Sequence, residues 1–315
     1  MKTLFIPSNS VDGTTDGLLQ IAAESGFNLF RWNIDLWQHY EICFDGERFR
    51  FSDPLGRTVD VLGDDVFLLW RKPFTSLMNF DELSLESADR EQARVQVSQC
   101  LQAVVALMRP LRRVRLVEPY ADRRLPKLCQ LRLARDFFAV PPSLFSVRDF
   151  SMPSGFSVVA KPLGDPSVGE SSIFYTRPVD PDSLFRPFPW FLQQALIGGQ
   201  DITCVYILGQ SHFYVCDYKR DANAIDWRVE INTESPSVWQ KCDHPGRLEW
   251  ESAVNRYMCK VGLHFGRLDF ILQGDVLYFL ECNTNGQFGW LDDLETLALH
   301  REFWAAACNP AAVVI

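Results

Sequence analysis

The order of apolar and polar positions divides the chain into strand and helix patterns from its first residues. The apolar run "KTLFIP" reads as a strand, "DGLLQIAAESG" as a helix closed by Gly26, and "NLFRWNI" as a second strand. "YEICFDGERFRFSD" alternates apolar and polar residues about Asp45 and Gly46, which predicts a hairpin. "DVFLLWRKP" reads as a buried strand stopped by Pro73. A helical pattern from Ser84 to Met108 carries Leu85, Val97, Leu101, Val104, Val105 and Met108 at its apolar positions and ends at Pro110. These elements predict a small α/β unit over residues 1–115.

A second unit, 116–190, opens on a helix in which Pro126 takes the first helical position and Leu128, Leu131 and Ala134 recur every three residues. Further on, "FSVVAKPLGDPSVGESSIFYTRPV" offers a strand, a loop rich in Gly and Ser, and another strand. The third unit, 191–315, is dominated by strands from "WFLQQALIGGQDITCVYILG" onward, with one helix about "EWESAVNRYMCKVG". No repeat or low-complexity tract interrupts the 315 residues, a length that suits two or three packed units sharing one cleft.

Composition narrows the partners. An apolar fraction of 47% with 23% charged residues is that of an ordinary globular protein, and no segment has the run of roughly 18 apolar residues that a membrane span requires. The first residues hold too short an apolar run before Pro7 for a secretory signal, so a cytoplasmic protein without a membrane role is expected. A net charge of -9 argues against nucleic acid as a partner, since phosphate-backbone affinity rests on clustered Lys and Arg. The one basic cluster, "RPLRRVRL" from Arg109, follows a helical pattern and reads as a solvated helix end. Nine cysteines without a Cys-x-x-Cys pair fit mostly buried thiols in a reducing compartment, not disulfides or zinc ligands.

The chemistry concentrates in "GRLDFILQGDVLYFLECNTN", two strands joined at Gln273, Gly274 and Asp275. Side chains alternate along a strand, so Glu281 and Asn283 share a face. A three-residue connection would place Asp269 opposite Phe279 and on the face of Glu281, and that odd-numbered loop is the expectation; an even-numbered one would separate the two acids. Two carboxylates and one amide oxygen are too few to cage calcium, but suit magnesium, whose shell water and substrate phosphates complete. The alternative is that the acids only pair with cations such as Arg267 or Arg228. On the residues alone the two readings stand level, because an unpaired carboxylate among apolar strand residues is costly. Lys161 ends the strand "FSVVAK" ahead of a loop that can present N–H groups to an anion, although most such lysines are solvated strand ends. Lys127 stands in the first turn of a helix, where its charge opposes the dipole. The five histidines are far apart in the sequence, with no metal-binding spacing, and neither a Gly-x-Ser-x-Gly elbow nor a Walker lysine is present.

In their order, these motifs resemble the ATP-grasp ligases. "YFLECNTNGQFGWLDDLE" is similar to the "FLEINPNGQW.W" signature of the peptide-modifying members that make microviridin-type ω-ester and ω-amide peptides, the graspetides. "LLWRKP" resembles that family's "WYRRP", "PKLCQLRLA" its "K..QL..A", "VVAKPL" its "KPL", and "DWR" at Asp226 to Arg228 its "DWR". The likeness runs from near the N-terminus to about residue 300, and the last motif is the specific one. It implies an α/β (α+β) fold with an N-terminal pre-ATP-grasp domain (1–115), a central subdomain (116–190) and a C-terminal subdomain (191–315), with ATP between the last two.

By this resemblance Lys127 and Lys161 contact phosphate and adenine-side groups, Gln193 and Gln194 hold the adenine, and Asp201 belongs to the cofactor side. Asp269, Glu281 and Asn283 would bind Mg2+, and Arg228, with Asp226, would serve catalysis at the transferring phosphoryl group. The implied reaction joins a carboxylate to a hydroxyl or amine through an acyl phosphate, in a ribosomally made precursor peptide. A small carboxylate or amine metabolite, or a silent nucleotide-binding or partner-binding relative, are the other readings; the intact metal set argues against the last. Relatives of this kind typically form homodimers, and no stretch here compels it. Two departures stand out: Thr203 in "DITC" replaces the arginine of the family's "DIRV", which Arg220 or Arg228 would have to compensate, and "NTNGQF" lacks the family's proline. Gln287 reads as a loop glutamine with its needs met in preference to a substrate contact, and Trp290, Leu291 and Leu294 as packing residues.

Overall fold

A computed structural model describes residues 2–314 apart from 64, 82, 153–154, 165–166, 169–171, 174–175 and 220–238. The N-terminal part begins with β1 (Thr3–Ser8), α1 (Gly13–Glu24) and β2 (Asn28–Asn33), the two strands parallel. An antiparallel three-stranded sheet follows, β3 (Glu41–Phe44), β4 (Phe49–Ser52) and β5 (Thr58–Asp60). Then β6 (Val66–Leu69) returns beside β1, and α2 (Ser87–Met108) leads to β7 (Val114–Arg115). The resulting sheet, β2-β1-β6-β7, is parallel throughout, which is why its strands read as nearly unbroken apolar runs. The hairpin turn forms where Asp45 and Gly46 predict it: the Asp45 carboxylate accepts from the backbone N–H groups of Glu47 and Arg48.

Two local expectations change. Helix α1 ends at Ser25, whose extended backbone stops it one residue before Gly26. The basic stretch after Met108 is a turn and a strand, not a helix end, with Arg112 in the left-handed region. Three of its arginines bind other parts of the chain: Arg109 pairs with Glu118 at 2.6 Å, Arg113 donates to the carbonyls of Leu62 and Gly63, and Arg115 donates to the Pro310 carbonyl at 3.4 Å.

The middle of the chain holds α3 (Ala121–Arg124), α4 (Lys127–Ala134), β8 (Ser143–Ser146), β9 (Val158–Ala160), a short pair β10 (Ser167–Val168) and β11 (Ser172–Ile173), β12 (Arg177–Val179) and β13 (Trp190–Gln194). Strands β12-β9-β13-β8 form one antiparallel sheet. The next sheet is built from β14 (Gln200–Ile207), β15 (Gln210–Lys219), β16 (Trp239–Lys241), β17 (Phe265–Gln273) and β18 (Val276–Asn283), in the order β16-β15-β14-β17-β18. The change of sheet therefore falls between Gln194 and Gln200. Helices α5 (Arg247–Val261) and α6 (Ala298–Cys308) complete the chain. Pro126 caps α4 from outside it, and Leu128 is exposed whereas Leu131 and Ala134 are buried. Three residues advance a helix by less than a full turn, so six residues swing the side chain by about 120°.

Strand alternation divides the five-stranded sheet. Ile202, Cys204, Tyr206, Leu268 and Phe270 pack in one core with Trp250, Val254, Tyr257 and Met258 of α5. On the other face Val205, Ile207 and Phe265 join the N-terminal core, together with Phe288 and with Phe303 and Trp304 of α6. Asp201 and Thr203 of β14, Arg267 and Asp269 of β17 and Glu281 and Asn283 of β18 lie on this second face. Four of the nine cysteines are buried and three are exposed, fewer buried than expected, and all nine are free thiols. Among the described residues no helix is long and apolar enough to cross a membrane.

Candidate active site

The β17–β18 hairpin places the acids on one face by a route that its loop length does not reveal. The connection is the two-residue loop Gly274-Asp275, with Gln273 opposite Val276 and Gly274 at φ 60. Such an even loop would set Asp269 opposite Leu280. A bulge between Asp269 and Phe270 inserts one extra residue on β18, and Asp269 stands directly opposite Glu281. The expected face is observed, but the expected three-residue loop and the pairing with Phe279 are not. Thr203 of β14 stands opposite Asp269 on its other side, so Thr203, Asp269 and Glu281 form a row across three strands.

The row is tied together by hydrogen bonds. Asn283 Nδ2 donates to Asp269 Oδ2 at 2.8 Å and to Glu281 Oε1 at 3.3 Å, and Thr203 Oγ1 donates to Asp269 Oδ1 at 2.8 Å. Arg267 pairs with Asp269 at 3.0 Å, as the alternative reading of this residue anticipates, and its guanidinium lies over Trp290. Lys127 pairs with Glu281 at 2.7 Å. Burial raises the Glu281 carboxyl, but Lys127, Lys161 and Arg267 outweigh that and hold it well below the usual carboxylate range. Glu281 is therefore ionised at neutral pH, as a metal ligand must be.

Helix α4 places Lys127 through a residue to which the sequence alone gives no role. Strand β18 is at the sheet edge, and its outward backbone groups need partners. Gln130 supplies them at Cys282: the Cys282 N–H donates to Gln130 Oε1 at 2.7 Å, and Gln130 Nε2 donates to the Cys282 carbonyl at 3.0 Å. Lys127 precedes Gln130 by three residues, on the same helix face. The legible signal was this spacing within "PKLCQLRLA".

Lys161 donates to Gln193 Oε1 at 3.0 Å, and Gln193 in turn donates to Ser143 Oγ. Gln194 follows Gln193 on β13, so its side chain takes the other face of that sheet and the two glutamines are not brought together. Asp201 is buried on the face of β14 that carries Thr203. Asp226 and Arg228, together with Arg220, lie outside the described residues, as does part of the loop after Lys161.

The N-terminal part closes the other side of the hairpin end. Arg71 is fully buried; its Nη1 donates to Asn285 Oδ1 at 2.8 Å and its Nε faces Asp12 Oδ2 at 3.4 Å. Burial raises the Asp12 carboxyl, yet Arg71, a hydrogen bond from Thr15 and the charge of Lys72 bring it down to about 2. Gln287 Nε2 reaches Asp12 Oδ1 at 3.5 Å, and the Gln287 backbone carbonyl accepts from Arg267 Nη1 at 3.1 Å. At Gly286 an added Cβ would lie 2.6 Å from Arg267 Cβ; only glycine lets the turn pass this close. Leu291 is buried and Trp290 packs against Trp239, but Leu294 is 85% exposed and takes no part in packing.

Two carboxylates and an amide within hydrogen-bond reach of one another fit a divalent cation that takes oxygen ligands, with the Asn283 amide rotated to offer Oδ1. Among the described residues no group of three His, Cys, Asp or Glu forms a complete metal cage, so such a cation would draw further ligands from a substrate. Three cations, Lys127, Lys161 and Arg267, surround two acids. That excess suits a polyanion.

No family model matches the chain, and no curated protein matches its sequence. Solved structures do. The chain is similar to the macrocyclase MdnC of Microcystis aeruginosa MRC, bound with precursor peptide MdnA, at 19% identity and a TM-score of 0.77, over 98% of this chain and 99% of that one. A RiPP-associated ATP-grasp ligase of Chryseobacterium gregarium, in complex with ADP and a leader and core peptide, matches at 19% identity and a TM-score of 0.77, over 98% and 97%. The macrocyclase MdnB of Microcystis aeruginosa MRC matches at 22% identity and a TM-score of 0.72, over 97% and 98%. The chain has the ATP-grasp fold along its whole length.

Proposed function

We propose that this protein is an ATP-dependent, ADP-forming ligase that phosphorylates a carboxylate and transfers the acyl group to a hydroxyl or amine within a precursor peptide. The observation that carries the reading is the joined set of Asp269, Glu281 and Asn283 under Lys127, on a scaffold shared with peptide ligases. In this reading Lys127 and Lys161 hold phosphate oxygens, Gln193 fixes Lys161 on the nucleotide side, and Asp269, Glu281 and Asn283 hold Mg2+. When bound, the metal neutralises charge on the phosphates and orients them.

The substrate carboxylate attacks the γ-phosphorus, ADP leaves, and a hydroxyl or amine then displaces phosphate from the acyl carbon. Positioning and charge neutralisation account for most of the catalysis in such a transfer. Asp201 and Gln194 are assigned to the cofactor side, and Asp226 and Arg228 to the phosphoryl group, from the motif alone. The same reading divides the chain into a pre-grasp domain and two grasp subdomains and places the protein in the cytoplasm, where ATP is supplied.

The test is chemical. Incubation with ATP, Mg2+, hydroxylamine and synthetic peptides that carry Glu or Asp together with Ser, Thr or Lys should yield a hydroxamate on an acidic side chain, detected by mass spectrometry, with one ADP per hydroxamate. Glu281→Gln should yield neither. ADP formation without any hydroxamate would remove the acyl phosphate from the account.

A further inference from the structure

Lys72 sits between the buried Arg71 and Pro73, on the wall that the N-terminal part presents to the end of β18. Three observations single it out. Its backbone lies in the left-handed region, at φ 43, which non-glycine residues adopt only where the surrounding structure holds them there. Arg71 does the holding: it bonds Asn285 and the Gly286 carbonyl on the turn that follows the ligand set, and Asp12 on the N-terminal side. Finally, the half-buried ammonium of Lys72 makes no hydrogen bond and no ion pair among the described residues.

A lysine brought out of water without a partner is unfavourable unless an anion arrives to meet it. The surroundings agree. Burial and the adjacent Arg71 push its ammonium down to about 8; Asp12 opposes the shift, and Arg267 adds to it. Arg267 is the residue that pairs with Asp269, and its buried Nε is also without a hydrogen-bond partner among the described residues. The two cations thus share a field that Asp12 and Asp269 leave unbalanced, beside the proposed metal ligands. Asp12 acts on Lys72 only through its charge: its ion pair is with Arg71, and none joins it to Lys72 among the described residues.

We propose that Lys72 binds the substrate carboxylate that is to be phosphorylated, and holds it beside the Asp269 and Glu281 pair. The occupant is the acidic side chain of a peptide, a carboxylate presented to the cleft from the N-terminal side. This deepens the ligase reading and rests on it for the fate of that carboxylate, though the binding itself does not require turnover.

The experiment reads binding directly. Two blocked synthetic peptides are compared, one with a single glutamate as its only ionisable side chain and the other with glutamine in its place. Acetic anhydride labels Lys72 in the wild-type protein, and mass spectrometry follows the rate. The glutamate peptide at saturation should slow labelling of Lys72 about fivefold, and the glutamine peptide should not. Lys72→Asn, whose side chain tolerates the left-handed backbone, should weaken the glutamate peptide by about tenfold or more while Lys72→Arg restores part of the affinity. Equal labelling with both peptides, or unchanged glutamate-peptide affinity in Lys72→Asn, would overturn the proposal. Both arms are run without nucleotide, so a failure to bind ATP would remove the ligase reading and still leave the carboxylate subsite decided by these results.

Discussion

At Cys282 the edge of β18 turns a backbone N–H and a carbonyl outward, and the single amide of Gln130 meets both. Gln130→Leu keeps the volume and removes both partners, leaving buried backbone groups unsatisfied at about 1–3 kcal/mol each. A urea titration should show a lower midpoint with an unchanged slope. ATP affinity should fall as well, because Lys127 sits on the same helix face. The sequence showed Lys127 and Gln130 three residues apart but could not say what Gln130 touches, since its partner lies 152 residues away. Arg71 was hidden in the same way: "WRKP" reads as a strand end, and its contacts to Asp12 and Asn285 span 59 and 214 residues. Gln193 and Gln194 differ in kind. Alternation along a strand already allows only one of two neighbours to share a face with Lys161, and that rule was available without a structure.

Among the elements, the row Thr203, Asp269, Glu281 depends on three strands keeping register, and each carries one member. The hairpin of β17 and β18 was legible from its two apolar runs and its glycine. Its bulge was not, because an extra residue in one strand leaves no mark in the alternation until the partner strand is known. The right face was thus inferred through a loop one residue too long. Thr203, read as a lost arginine, has a role of its own here: its hydroxyl donates to Asp269 Oδ1 and so orients the carboxylate. Thr203→Val preserves the β-branched shape and deletes that bond together with the longer contact of the same hydroxyl to the Leu268 carbonyl at 3.3 Å. If Asp269 is a metal ligand, the change should lower Mg2+ affinity by about 10-fold to 100-fold, as loss of a ligand's outer partner does, with thermal stability little altered. Calorimetric titration of ATP at a series of Mg2+ concentrations measures it, as the Mg2+ concentration that gives half-maximal binding.

The whole molecule is joined at the site by Arg71, which links the first sheet to the turn after β18, and by the core that α6 shares with both. This junction predicts an acid limit to stability. Asp12 titrates at about 2 in the folded protein against a usual value of 3.8, so its contribution is complete above pH 4 and is lost as the pH falls toward 2. The difference corresponds to roughly 2 kcal/mol. Urea unfolding of Asp12→Asn should show lower stability near neutral pH and a flatter dependence between pH 4 and 2 than the wild type. The two-part closure also explains why composition said little about function: the groups that matter come from residues 12, 71, 127, 161, 203 and 267–287, and only the last cluster is continuous in sequence. The measurement that reaches the central claim most directly is calorimetric titration of ATP into the wild type and Glu281→Gln, with and without Mg2+. The account predicts binding by the wild type that depends on Mg2+ and is lost in the variant. Absence of binding by folded wild-type protein, or binding that neither Mg2+ nor the substitution alters, would contradict it.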